Sequence, residues 1–144
     1  MQIKKIYSKV NPDKLLHMII KKDDCLEGNK RVDIIPEENF IQCSYLKLEK
    51  GKTFKPHKHI FKERHYDKKI AQESWVVISG KVMCILYDLN DNVLTKETLE
   101  PGEASFTLEG GHNYLILEED TIVYEYKTGP YEGQALDKVF IENT

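Results

Sequence analysis

The chain has 144 residues, of which 40% are hydrophobic and 31% charged, and its formal net charge is −3. This length predicts a single domain over residues 1–144 that can bury a core of its own. The slightly acidic balance argues against a nucleic-acid partner. No apolar run approaches the roughly 20 residues of a membrane span, and the first residues lack the pattern of a signal peptide. Three cysteines without a Cys-x-x-Cys pair indicate a reducing compartment, so we expect a cytoplasmic protein.

The first 39 residues are mixed in pattern and are predicted to form an N-terminal extension. Residues 3–7 have the composition of a short strand. Asn11 followed by Pro12 is typical of a helix start, so one helical turn that includes Leu15 is expected.

From residue 40 onward, short β-like runs alternate with turn sequences. Runs separated by about 8–12 residues predict an all-β protein, an antiparallel sandwich or barrel. One long irregular connection, residues 60–72, interrupts the pattern, and loops of this length in compact domains are often functional. The predicted strands are residues 40–49, 53–59, 74–79, 81–89, 92–99, 103–108, 112–117 and 121–127.

Three histidines and a glutamate lie in or beside these predicted strands. His57 and His59 are two residues apart, and residues at this spacing in a strand point to the same face. Glu73 precedes the run SWVVIS, and His112 follows a double glycine. A histidine in a lysine-rich segment is, taken singly, more often solvated than ligating. Together, three imidazoles and a carboxylate predict a site for one divalent transition metal: Fe, Zn, Mn or Ni.

The spacing of these four residues resembles the two motifs of the cupin superfamily. The first motif reads Gly51, five residues, His57-Lys58-His59, a spacer, Glu73, six residues and Gly80. The second runs from the Pro101-Gly102 turn to His112. The spacer, residues 60–72, is longer than is usual in cupins, so the rim of the predicted site is particular to this chain.

The resemblance covers about residues 40–128 and implies a cupin-type antiparallel β-barrel, the double-stranded β-helix or jelly roll, as the core. Residues 129–144 would then form a C-terminal tail. The resemblance to cupins further implies that the metal ligands are His57, His59, Glu73 and His112.

Four other residues are candidates for catalysis or substrate binding. Tyr114 should share a face with His112, where it either hydrogen-bonds a substrate oxygen or is a core tyrosine. Glu125 is a general base if it points inward, and is solvated if the tyrosines on either side of it pack inside. Lys62 and Arg64 give the long loop a positive charge that would attract an anionic substrate, although a plain solvated loop is the alternative.

The chain is most similar to small single-domain cupin metalloproteins, some of which accompany enzymes of sugar or surface-polysaccharide biosynthesis. The resemblance implies an enzyme that isomerises or epimerises a small, carbohydrate-like substrate, with the metal as Lewis acid. The alternatives are an Fe(II)-dependent dioxygenase and a non-catalytic cupin that binds a small molecule. The expected partner is a small molecule, with neither a membrane nor a nucleic acid involved, and the strand edges would permit a homodimer.

Overall fold

The computed structural model describes residues 1–22, 28–61, 69–129 and 132–142. Within them nearly all regular structure is β, as predicted, and no helix is long and apolar enough to cross a membrane. The elements are β1 (Gln2–Tyr7), β2 (Leu15–Lys21), β3 (Lys30–Asp33), β4 (Ser44–Lys47), β5 (Glu73–Ser79), β6 (Val82–Tyr87), β7 (Val93–Leu99), β8 (Ala104–Thr107), β9 (Gly111–Ile116), β10 (Ile122–Lys127) and α1 (Gln134–Asp137).

The strands form three antiparallel sheets. The largest has the order β1-β2-β8-β5-β10, the second has the order β7-β6-β9, and β3 pairs with β4 in the third. Over the described ranges, these sheets do not close into a barrel. The structure therefore confirms an antiparallel all-β fold.

Apolar residues cover both faces of the five-stranded sheet, because side chains alternate along each strand. One face packs against the three-stranded sheet, through residues such as Ile19, Val77 and Leu86; we call this the inner core. The other face packs against β4 and the chain that follows β3, through residues such as Met18 and Phe106; we call this the outer core. Packing on both sides explains why the central strands β2 and β8 are buried almost throughout.

The predicted helical turn near Leu15 is wrong, because Leu15–Lys21 is strand β2. The run LLHMII buries side chains on both faces of the sheet, and this packing outweighs the helix-start signal of Asn11 and Pro12. Strands β1 and β2 from the predicted N-terminal extension lie in the main sheet, with β2 next to β8.

The predicted strand over residues 53–59 is also wrong, because residues 52–61 form no strand and are exposed. Pro56 has no backbone N–H to donate to a neighbouring strand, and Lys55 and Lys58 favour solvent. The predicted strand 40–49 shortens to Ser44–Lys47, whereas each of the six predicted strands from residue 74 onward overlaps an observed strand.

The inner core should dominate stability. Leu86 is 0% exposed, so we expect Leu86→Ala to lower the free energy of unfolding by about 2–5 kcal/mol, through lost burial and the cavity left behind. Urea unfolding followed by circular dichroism measures this change. Leu115→Ala is the control, because Leu115 lies on β9 but is 52% exposed, and it should cost less than about 1 kcal/mol. Equal losses in the two variants would contradict the layer assignment.

Candidate functional site

Two of the predicted ligands, Glu73 and His112, are in direct contact between the two larger sheets. Glu73 is the first residue of β5, and its side chain is on the same face of the strand as Val77, which belongs to the inner core. His112 is on β9 opposite Leu86, a residue of the inner core, so its ring points inward as well. Glu73 Oε1 lies 3.1 Å from His112 Nε2. The strands of two different sheets therefore bring a carboxylate and an imidazole together.

The Glu73 carboxyl group is 8% exposed, and its surroundings favour the ionised form. Burial alone would raise the pKa of Glu73, but the hydrogen bond and charge of His112 outweigh burial, with help from Lys138 and Lys127. The pKa of Glu73 is therefore held below its ordinary value. The carboxylate is negative at neutral pH, which is the form that binds a cation.

His112 has an unused ring nitrogen. Its Nδ1 is buried and has no hydrogen-bond partner among the described residues. Buried polar atoms without a partner are uncommon in folded proteins. When the Nε2–H group donates a hydrogen bond to the Glu73 carboxylate and the ring is neutral, Nδ1 carries a lone pair. An imidazole nitrogen and a carboxylate oxygen are ligands of the kind that a divalent transition metal accepts, and Nε2 is the His112 nitrogen that faces Glu73.

His57 and His59 lie together but apart from this contact. Both are exposed, their ring centroids are 5.6 Å apart with planes at 75°, and His57 Nδ1 donates to the Lys55 carbonyl at 3.0 Å. Among the described residues, no group of three or more His, Cys, Asp or Glu side chains is arranged to hold a metal. The four predicted ligands thus lie in two separate pairs, Glu73 with His112 and His57 with His59.

Tyr114 lies deeper in the inner core than His112. Its ring stacks on Trp75 with centroids 3.8 Å apart and planes at 5°, and its centroid is 5.4 Å from that of His112. The Tyr114 hydroxyl is 2.9 Å from Ser105 Oγ. Burial raises the pKa of Tyr114 well above its ordinary value, so the phenol stays protonated. Tyr114 can therefore donate a hydrogen bond but cannot act as a base at neutral pH.

Glu125 lies at the exposed rim of the same face. It is opposite Trp75 in the β5–β10 pairing, and its Oε2 accepts a hydrogen bond from Trp75 Nε1 at 3.1 Å. The neighbouring Tyr124 and Tyr126 are 55% and 58% exposed on the other face. The interpretation in which these tyrosines pack inside is therefore wrong, and Glu125 shares the face of Glu73 while its carboxylate remains exposed.

The other predicted substrate-binding residues, Lys62 and Arg64, belong to residues 62–68, which lie outside the described part of the chain. Their role in binding an anion stays a prediction. Among the described lysines, Lys138, which follows α1, lowers the pKa of Glu73 the most. Beside it, Ile141 lies close to Gly111, so the C-terminal residues border the contact between Glu73 and His112.

His17 is a buried histidine that was not among the predicted site residues. This residue is fully buried on β2, and Thr107 pairs with both His17 and Glu73 across the sheet. His17 Nε2 donates to the Tyr87 carbonyl at 2.9 Å, so Nδ1, at 3.2 Å, accepts from the Thr107 hydroxyl. Its position within an apolar run was the available signal, which the predicted helical turn obscured.

The ionisation of His17 should make stability depend on pH. Burial lowers the pKa of His17 to about 4, against the hydrogen bond to Tyr87. The unfolded chain takes up this proton from the ordinary histidine pKa of 6.5 downward, whereas the folded chain does so only near 4, so stability falls as the pH drops through this window. From about pH 7.5 to about pH 4.5, we expect His17 to contribute a loss of about 2–3 kcal/mol.

His17→Gln should remove this contribution, because glutamine does not titrate. Urea unfolding of both proteins at the two pH values gives the change in the free energy of unfolding with pH for each. The difference between these two changes is the contribution of His17, because the carboxyl groups are the same in both proteins. The same pH dependence in wild type and variant would show that His17 is not buried in the neutral form.

Comparisons with known proteins return no match. No family model matches the chain, and neither a curated protein nor a solved structure is significantly similar to it. The account of this site therefore rests on its residues and their geometry.

Proposed function

We propose that the chain is a metal-binding cupin in which Glu73 and His112 are two of the four ligands of one divalent transition metal. The observation that carries this proposal is the 3.1 Å contact between the two side chains, reached from strands of different sheets. An ion bound by both side chains would lie between Glu73 Oε1 and His112 Nε2, the two atoms that face each other, and would replace the hydrogen bond between them.

The architecture is compatible with a jelly-roll core. Five- and three-stranded antiparallel sheets face each other across the inner core, as the two sheets of a jelly roll do. Glu73, from the first cupin-like motif, is on the five-stranded sheet, and His112, from the second motif, is on the three-stranded sheet. Their contact is the arrangement that a cupin metal site requires.

His57 and His59 would complete the ligand set by moving toward Glu73. Their segment, residues 52–61, makes no strand pairing that such a movement would break. The two rings already lie side by side, with centroids 5.6 Å apart. The free energy of binding a transition metal, of order 10 kcal/mol, would offset the ordering of the few residues around His57 and His59, which costs about 1–2 kcal/mol per residue.

The proposed reaction is the isomerisation or epimerisation of a small, carbohydrate-like substrate. The metal would act as a Lewis acid that polarises a carbonyl or hydroxyl oxygen. Trp75, half-buried at the rim, offers an apolar ring face to the substrate, and the exposed Glu125 beside it offers a hydrogen-bond acceptor and a base. Tyr114, protonated because it is buried, would donate a hydrogen bond to a substrate oxygen.

Metal content tests the ligand assignment. After reconstitution with Zn, Mn, Ni or Fe(II), we expect elemental analysis to find about one metal per wild-type chain. Glu73→Gln, His112→Ala and His57→Ala should each lose most of it, because each removes one ligand. Glu125→Gln is the matched control for Glu73→Gln and should keep the wild-type metal content. A wild-type chain that takes up no metal, or ligand variants that keep it in full, would refute the proposal.

The type of reaction can be tested without knowing the substrate. Metal-loaded protein is incubated with a panel of aldoses, ketoses and their nucleotide derivatives in D2O, and proton NMR follows the exchange of carbon-bound hydrogen. We expect exchange in one substrate class, lowered at least about 10-fold in Tyr114→Phe, which removes one hydrogen-bond donor.

Two results would point to the alternatives. Oxygen consumption by the Fe(II)-loaded protein with one of these compounds would indicate a dioxygenase. Tight binding of a compound with neither hydrogen exchange nor oxygen consumption would indicate a non-catalytic binding protein.

A further inference from the structure

A cavity lies on the face of the five-stranded sheet that is opposite to Glu73 and His112. Its volume is about 500 Å³. One wall comes from the segment before β4 and includes Phe40, Ile41 and Cys43, and the other comes from the sheet and includes Val76, Phe106 and Tyr126. Val76 is on the face of β5 opposite to Glu73, so the sheet itself separates the cavity from the candidate metal site.

A buried amide fixes the wall formed by the segment before β4. Gln72 is 4% exposed, and its Oε1 accepts a hydrogen bond from the Ile41 backbone N–H at 2.9 Å. Its Nε2 donates to Asn39 Oδ1 at 3.1 Å and to the Leu108 carbonyl at 3.2 Å. These bonds join the segment to residues at the ends of β5 and β8, and they fix the position of the wall.

Ser74 contributes an unused hydroxyl to the same cavity. It is 1% exposed, and its Oγ has no hydrogen-bond partner in the part of the chain that the structure describes. Two other polar side chains that line the cavity already have partners: the Gln42 amide donates to the Asn39 carbonyl at 2.9 Å, and the Ser44 hydroxyl bonds Asp33. Leaving a buried hydroxyl unpaired is costly, so a ligand that hydrogen-bonds Ser74 would recover part of that cost.

The lining of the cavity is almost free of charge. None of the described residues that line it is an aspartate or a glutamate. Lys127 is the one cation among them, and its ammonium lies 3.6 Å from Asp137 Oδ2. Burial raises the pKa of the Cys43 thiol, which keeps it neutral. An ionic ligand would find no free countercharge in such a lining, whereas a neutral one would lose little on leaving water.

We propose that this cavity binds a neutral, mainly apolar small molecule with one hydroxyl, carbonyl or N–H group that hydrogen-bonds Ser74. The volume of about 500 Å³ is within the range of pockets that enclose drug-sized ligands. The site is distinct from the proposed metal site and does not depend on it.

Titration with the neutral probe N-phenyl-1-naphthylamine, which has one N–H group, tests the proposal by fluorescence. The wild-type chain should bind one equivalent. Ser74→Ala should weaken binding about 5- to 10-fold, because the variant loses the hydrogen bond to the probe. Val76→Phe should abolish binding by filling the cavity. The Glu73→Gln variant should bind the probe like the wild type, because Glu73 is on the other face.

Each cavity variant has a matched control on the same strand. Ser79→Ala removes a hydroxyl outside the cavity, and Ile78→Phe enlarges a side chain that is 42% exposed on the face of Val76. Both should keep the wild-type affinity, and circular dichroism verifies folding. If Val76→Phe does not fold, Ser74→Ala against Ser79→Ala decides. Absence of one-to-one binding by the wild type, or unchanged affinity in Ser74→Ala, would overturn the proposal.

Discussion

The alternation of side chains along β5 is the constraint on which both candidate sites depend. Glu73, Trp75 and Val77 face the inner core, whereas Ser74 and Val76 face the outer core. A shift of one residue in its pairing would exchange these sets and bury the wrong side chains on both faces. Pairing with β8 and β10 on either side fixes the register.

The contact of Glu73 with His112 is a weak source of stability. Removing a carboxylate from water costs free energy that a single hydrogen-bonded partner repays only in part, so apolar residues would hold the two sheets together as well or better. The unpartnered Nδ1 of His112 adds to that cost. Partly buried ionisable groups in contact are candidates for a functional site on physical grounds.

The strands from residue 74 onward were predictable because alternation and turn residues act locally. The course of residues 52–61 was not, because whether His57 and His59 lie in a strand depends on a partner strand that the local sequence does not specify. The role of Leu15–Lys21 was hidden for a similar reason, since burial from two layers is a tertiary property. The contact between Glu73 and His112 was predictable from motif spacing, whereas the cavity beside Ser74 depends on how residues 40–44 pack against the sheet.

The most direct test of the central claim is NMR of the protein with ¹⁵N-labelled histidine during titration with Zn²⁺. The ring nitrogens of His57, His59 and His112 should shift together and saturate at one equivalent, while those of His17, buried and hydrogen-bonded on both nitrogens, should keep their positions. If His112 does not respond, or responds at a different Zn²⁺ concentration from His57 and His59, the four residues do not form one metal site.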